Sequence, residues 1–231
     1  MQDTLCEQQR MIAIGDIHGC RQTLEQLIET LAPRPDDQLV FLGDYIDRGP
    51  DSKGVIDYLL QLRRTFRCFF LMGNHELMFL DYLESGDPGT WLDNGGRETL
   101  ASYTVQDGHH LPEAHIDFMK ACSYILETEH FVFVHGGLDP EMSIQDNRRY
   151  MQPADFCWIR THLRRSYVET RRYNWKKTVV CGHTPSPDII NLGKLISLDT
   201  GCVYDGTDSL GKLSAVILPE RKVIQVSNQD R

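Results

Sequence analysis

Met11-Ile12-Ala13-Ile14-Gly15-Asp16-Ile17-His18-Gly19 and Leu39-Val40-Phe41-Leu42-Gly43-Asp44-Tyr45-Ile46-Asp47-Arg48-Gly49 follow one plan: a short apolar run, then a glycine and an acid. Runs this short and this uniformly apolar are strands buried on both faces. Cys68–Met72 repeats the plan and ends in Gly73-Asn74-His75-Glu76. Between these runs the apolar residues change period. Leu24, Leu27, Ile28 and Leu31 share one helical face, and Val55, Ile56, Leu59, Leu60 and Leu62 share another with some spread. Strand, helix, strand, helix, strand implies a parallel sheet with covered faces. Further strands are expected at Phe131–Val134, Thr178–Cys181, Leu195–Leu198, Leu213–Leu218 and Lys222–Val226. Their closer succession, with turn signals at Asp205-Gly206 and Leu218-Pro219, suggests a second, more antiparallel sheet. The expectation is an α/β chain whose two sheets pack face to face with helices outside, residues 1–231 forming one domain. Residues 84–130 are irregular and rich in glycine, with a helix near Glu113–Cys122. They read as a partly helical insertion flanking a site.

Composition narrows the function classes. The chain has 231 residues, 41% hydrophobic and 25% charged, which is ordinary for a globular protein. No apolar stretch suits a membrane, and the polar opening lacks the apolar core of a secretory signal, so a cytoplasmic location is expected. Seven cysteines, odd in number and without a Cys-x-x-Cys pair, speak against both a disulfide framework and a thiolate zinc site. A net charge of −9 argues against a stable nucleic-acid partner. One segment departs from that balance: Arg160–Lys177 carries seven Lys or Arg against the single acid Glu169. Such a run is ordinarily a solvated face. Here it could also steer anionic substrates.

Nearly every expected strand ends in a polar cluster drawn from the same residue types. The clusters are Gly15-Asp16-Ile17-His18-Gly19, Gly43 to Gly49, Gly73-Asn74-His75-Glu76, His135-Gly136-Gly137 and Gly182-His183. Residues beyond the carboxyl ends of strands converge in space, and ligands of open α/β sheets bind there. Taken singly, Asp16, Asp44 and Asn74 could be caps or Asx turns, and His135 or His183 a buried, satisfied imidazole. Their conjunction at five strand ends points instead to a metal site. Asp16 and His18, two apart on extended chain, point to the same side. Asp44 has two oxygens and can bridge a pair of cations, with Asn74, His135 and His183 completing the ligand set of the second ion. Oxygen and imidazole donors without thiolate suit manganese, with iron, zinc, nickel or cobalt as further candidates.

The same motifs, with Gly182-His183-Thr184-Pro185, resemble the signature series of the PPP-type phosphoprotein phosphatases, most of all the small bacterial and phage serine/threonine enzymes. The resemblance runs from Met11 to about Leu218. It implies a calcineurin-like metallophosphoesterase β-sandwich of two mixed sheets flanked by helices. It also implies two divalent ions, one held by Asp16, His18 and Asp44, the other by Asp44, Asn74, His135 and His183.

On that footing a water acidified between the cations attacks phosphorus in line, without a phosphoenzyme. His75 is expected to protonate the leaving oxygen and Asp47 to orient and charge-stabilise its imidazole. Arg48 offers a planar fork for phosphoryl oxygens, and Asn74 also faces them. Arg160, in Trp158-Ile159-Arg160, resembles the second phosphate-clamping arginine of the bacterial branch. Leu198-Asp199-Thr200-Gly201-Cys202-Val203-Tyr204 is similar to bacterial members, including symmetrical diadenosine-tetraphosphate hydrolases. Those usually lack an acid matching Asp47, so a phosphorylated protein or peptide is the expected substrate. Cleavage of dinucleoside polyphosphates or RNA 5′ ends is the alternative.

Overall fold

The apolar runs of strands β1 (Met11–Ile14), β2 (Gln38–Phe41) and β3 (Arg67–Phe70) lie side by side and parallel in the computed structural model. The structure describes residues 4–105, 108–109, 111–204 and 209–230. Helices α1 (Arg21–Leu31) and α2 (Ser52–Leu62) form the crossovers, and α3 (Asn74–Ser85) follows β3 directly. The segment after α3 contains α4 (Gly96–Ser102), the short pair β4 (Thr104–Val105) and β5 (Gly108–His109), and α5 (Glu113–Lys120). Strands β6 (Ile125–Glu127) and β7 (Phe131–Val134) come next, then helices α6 (Ile144–Tyr150), α7 (Asp155–Trp158) and α8 (Arg165–Thr170). Strands β8 (Thr178–Cys181), β9 (Ile190–Asn191), β10 (Leu195–Ser197), β11 (Lys212–Leu218) and β12 (Lys222–Ser227) complete the order.

Two mixed sheets result, ordered β12-β11-β1-β2-β3 and β6-β7-β8-β10-β9. The expectation of a more antiparallel second sheet is corrected. The antiparallel hairpin β11–β12 joins the first sheet beside β1, whereas β7, β8 and β10 run parallel at the centre of the second. Only its edges, β6 and β9, are antiparallel. Chain proximity misled here because α6 to α8 intervene between β7 and β8 as a crossover. The turn expected at Asp205-Gly206 lies outside the described residues.

Alternation along the strands divides the interior into three apolar layers. Met11, Ala13, Val40 and Leu42 meet Phe131, Phe133, Val180 and Ile196 between the sheets. Ile12, Ile14, Leu39 and Phe41 face Leu24, Leu27, Val55 and Leu59 of the helices. Val132, Val134 and Val179 pack with Trp175, Tyr173 and Phe156 on the far side. Both faces of each sheet are therefore covered, and the parallel strands of the two sheets end toward one rim. All seven cysteines are free thiols, and among the described residues no helix is long and apolar enough to cross a membrane.

Candidate active site

The loops after β1, β2, β3, β7 and β8 bring the polar clusters together. Ile17 and His18 donate their amides to the Asp44 carbonyl, joining the first loop to the second. Glu76, fully buried in the first turn of α3, accepts the amides of Asp44 at 2.9 Å, Tyr45 at 2.8 Å, Ile46 at 3.3 Å and Gly73 at 3.1 Å. This one carboxylate ties the second loop to the third. The backbone is locally strained: His18, Asp44, Asp47, Arg48 and His183 all have positive φ, between 48° and 72°. Non-glycine residues avoid this region at a cost of about 1–3 kcal/mol each, and such residues gather at functional sites.

Asp44 stands at the centre. Its Oδ1 accepts the His75 amide at 3.1 Å and lies 3.3 Å from His135 Nε2, while its Oδ2 lies 3.5 Å from His18 Nε2 and 4.0 Å from His75 Nε2. Two sets of donor atoms, each within 4.8 Å of one another, share it: His18, Asp44 and His75 on one side, Asp44, His135 and His183 on the other. Asn74 Oδ1 is 3.0 Å from His135 Nε2. Asp16 reaches the same place across a close approach to Gly182, where a Cβ would stand 2.0 Å from its Oδ1. Both Asp16 oxygens accept the His183 amide, at 3.1 and 2.9 Å, and Asp16 belongs to neither donor set.

The donor chemistry fits divalent cations. His183 Nε2 is buried and has no hydrogen-bond partner among the described residues. His135 Nδ1 donates to the Leu42 carbonyl at 2.8 Å, so its Nε2 lone pair confronts Asn74 Oδ1 and Asp44 Oδ1, acceptor against acceptor. Only a cation or a proton between them satisfies that arrangement. Burial would lower the His135 pKa, but Asp44, with Asp16 and Glu76, outweighs it and pushes the value up to about 10. Burial and the neighbouring His135 take His183 down to about 3. Burial, then the adjacent Asp199, raises Asp16 well above the usual carboxylate range. Asp44 goes the other way: burial opposes its charge, yet His135 and His75 hold it ionised. Asp16, Asp44, Asp47, Glu76 and Asp199 are all buried here, a concentration of negative charge that bound cations would offset.

Around this centre, His75 Nδ1 lies 2.7 Å from Asp47 Oδ2, both side chains being buried. His18 Nδ1 donates to the Ile46 carbonyl, and half-buried Arg48 donates to its Nε2 at 2.8 Å while lying over the Tyr204 ring. Arg160 is exposed, yet its charge is close enough to contribute to the low His183 pKa. Of the remaining basic run, Arg165 pairs with Glu169 and Lys177 with Glu127. Several residues of the site were not singled out above: Glu76, Asp199, Trp91 and Thr99. An acid directly after an apolar run would have flagged Asp199. Nothing periodic marks Trp91 or Thr99.

A rim of buried carboxylates and imidazoles at strand ends, with one carboxylate shared by two donor sets, defines a metal-dependent hydrolase of the phosphoesterase type. The chain belongs to the calcineurin-like phosphoesterase family, whose model matches residues 9–217. It is 25% identical over 240 residues to the asymmetrical bis(5′-nucleosyl)-tetraphosphatase of Oceanobacillus iheyensis, covering 94% of this chain and 91% of the other. It is 30% identical over 207 residues to serine/threonine-protein phosphatase 1 of Salmonella typhimurium, covering 87% and 90%. Other bis(5′-nucleosyl)-tetraphosphatases, asymmetrical and symmetrical, match at 24–28% identity. The crystal structure of a cold-active protein tyrosine phosphatase shares the fold, with a TM-score of 0.67 at 18% identity over 99% of this chain and 79% of that one.

Proposed function

We propose that this phosphoesterase hydrolyses phosphomonoesters, with phosphoserine and phosphothreonine in proteins or peptides as its substrates. The buried His75–Asp47 pair, 2.7 Å apart, carries the reading. An alkoxide leaving from phosphorus is strongly basic and departs only with a proton. A nucleoside polyphosphate is a far weaker base and departs without one. A paired imidazole beside Asp44 is the equipment an ester requires.

In this reading Asp16, His18 and Asp44 would hold one divalent cation, and Asp44, Asn74, His135 and His183 would hold the other. Bound cations, manganese before iron, zinc, nickel or cobalt, supply charge for phosphoryl oxygens and acidify the attacking water. His75 keeps Nδ1 on Asp47 and turns Nε2 to the leaving oxygen, although it also stands within 4.0 Å of Asp44. Arg48, Arg160 and the Asn74 amide hold the phosphoryl oxygens. We read the protein as cytoplasmic, in keeping with its seven free thiols. We also read residues 1–231 as one domain, with 84–130 flanking its site.

The second reading, a dinucleoside-polyphosphate hydrolase, is favoured by the Oceanobacillus relative. Comparing kcat/KM for a phosphoserine peptide and diadenosine tetraphosphate, each with added Mn²⁺, decides between them. A higher value for the peptide is expected. A higher value for the dinucleotide replaces the first reading with the second.

A further inference from the structure

Trp91 and Thr99 come from the irregular segment, far along the chain from Asp47, yet they meet its carboxylate. Asp47 is fully buried. Its Oδ2 accepts both His75 Nδ1 at 2.7 Å and the indole Nε1 of Trp91 at 2.9 Å, and its Oδ1 accepts the Thr99 hydroxyl at 2.6 Å. The Asp47 amide in turn donates to Ser52 Oγ at 3.0 Å and Thr99 Oγ1 at 2.9 Å. The single Thr99 hydroxyl proton goes to Asp47, so Ser52, 2.9 Å away, donates to Thr99. Both oxygens of this buried carboxylate are thereby engaged.

The indole is itself clamped. It stacks on Tyr82 with centroids 4.9 Å apart and tilts against Phe79 at 5.1 Å, both in α3, the helix that carries His75 in its first turn. Gly96 also lies against the ring, where a Cβ would come within 2.5 Å of it. An aromatic slot of this kind would accept phenylalanine equally well. What tryptophan adds is one N–H, directed at the same oxygen that holds His75.

We propose that Trp91, assisted by Thr99, is a positioning residue for leaving-group protonation: it fixes Asp47 so that the His75 imidazole presents Nε2–H to the departing oxygen. The inference rests on the phosphomonoesterase reading above. As the P–O bond breaks, its electron pair stays on the leaving oxygen, which takes the proton from His75 Nε2. The imidazole is left neutral, with Nδ1–H still on Asp47, which remains ionised. Trp91 and Thr99 exchange no proton and touch no substrate.

Protonation matters in proportion to the basicity of the leaving group, and this separates positioning from general packing. Trp91→Phe and, separately, Thr99→Val are compared with wild type on a phosphoserine peptide, phenyl phosphate and 4-nitrophenyl phosphate. Metal content and KM are measured on the same samples. The expected result is a fall in kcat of about tenfold on phosphoserine and about twofold on 4-nitrophenyl phosphate, with KM and bound metal held. The ratio between substrates cancels any difference in folded fraction. If Trp91→Phe does not fold, Thr99→Val supplies the ratio. Equal losses across the series, or none on phosphoserine, overturn the proposal. A wild-type enzyme inactive on every phosphomonoester shows instead that the underlying reading has failed.

Discussion

The two ends of strands β1 and β2 treat buried acids in opposite ways. At their amino ends, Arg10 donates to both oxygens of Asp37, at 2.9 and 2.5 Å, and the Arg34 amide adds a third bond at 2.7 Å. Burial opposes the Asp37 charge, but these donors outweigh it and hold its carboxyl below the usual range. At the carboxyl ends, burial and Asp199 raise Asp16 well above that range. Burial, opposed by the Gly201 amide but reinforced by Asp44, brings Asp199 to about 6. One end matches each charge with a partner, and the other assembles like charges on strained backbone. Asp37 thus stabilises the fold, whereas Asp16 at the second end suits the proposed ligand site.

Substitutions can break that contrast. Asp44→Asn should have the largest effect: activity down on the order of a thousandfold, together with lost metal binding, read by steady-state kinetics and elemental analysis. If two metals and full activity survive, the shared role of Asp44 is wrong. His75→Asn should lower kcat on a phosphoserine peptide by about a hundredfold while metal content stays intact. Asp37→Asn inverts the pattern, costing about 1–2 kcal/mol of stability by thermal or urea unfolding with kcat retained. Because the folded pKa of Asp37 is depressed, its contribution is present above the unfolded value of about 3.9 and lost as pH falls through the folded one. The stability gap between Asp37→Asn and wild type should accordingly close in acid. Smallest is the effect of reversing charge at Arg164 and Arg165, a KM rise of about threefold at low salt that fades as salt is added. Unchanged KM at low salt would reduce the basic run to a solvated face.

The same contrast explains what was legible in the sequence. Strands covered on both faces announce themselves as apolar runs, so β1, β2, β7 and β8 were readable, as was the partly buried β3, together with the clusters after them. The short edge strands of the second sheet are not: β6 has three residues, all partly buried, and β9 has two, one of them exposed, whereas the longer edge strands β3 and β12 of the first sheet were readable. Sheet membership also escaped, because β11 returns to pair with β1 from the far end of the chain, a pairing no local pattern encodes. Glu76 stood inside a recognised motif, but its service to four amides from two loops depends on tertiary approach. Trp91 and Thr99 were the least visible, since their meaning lies wholly in where they touch Asp47.

Calorimetric titration of Mn²⁺ into chelator-stripped wild-type protein reads the shared role of Asp44 without recourse to any substrate. Two ions per chain are expected, with a thermal midpoint that rises with free metal, by about 2.7 kcal/mol of added stability at a hundred times Kd. A chain that binds no divalent ion, or only one with His183 and His135 left untouched, contradicts that role.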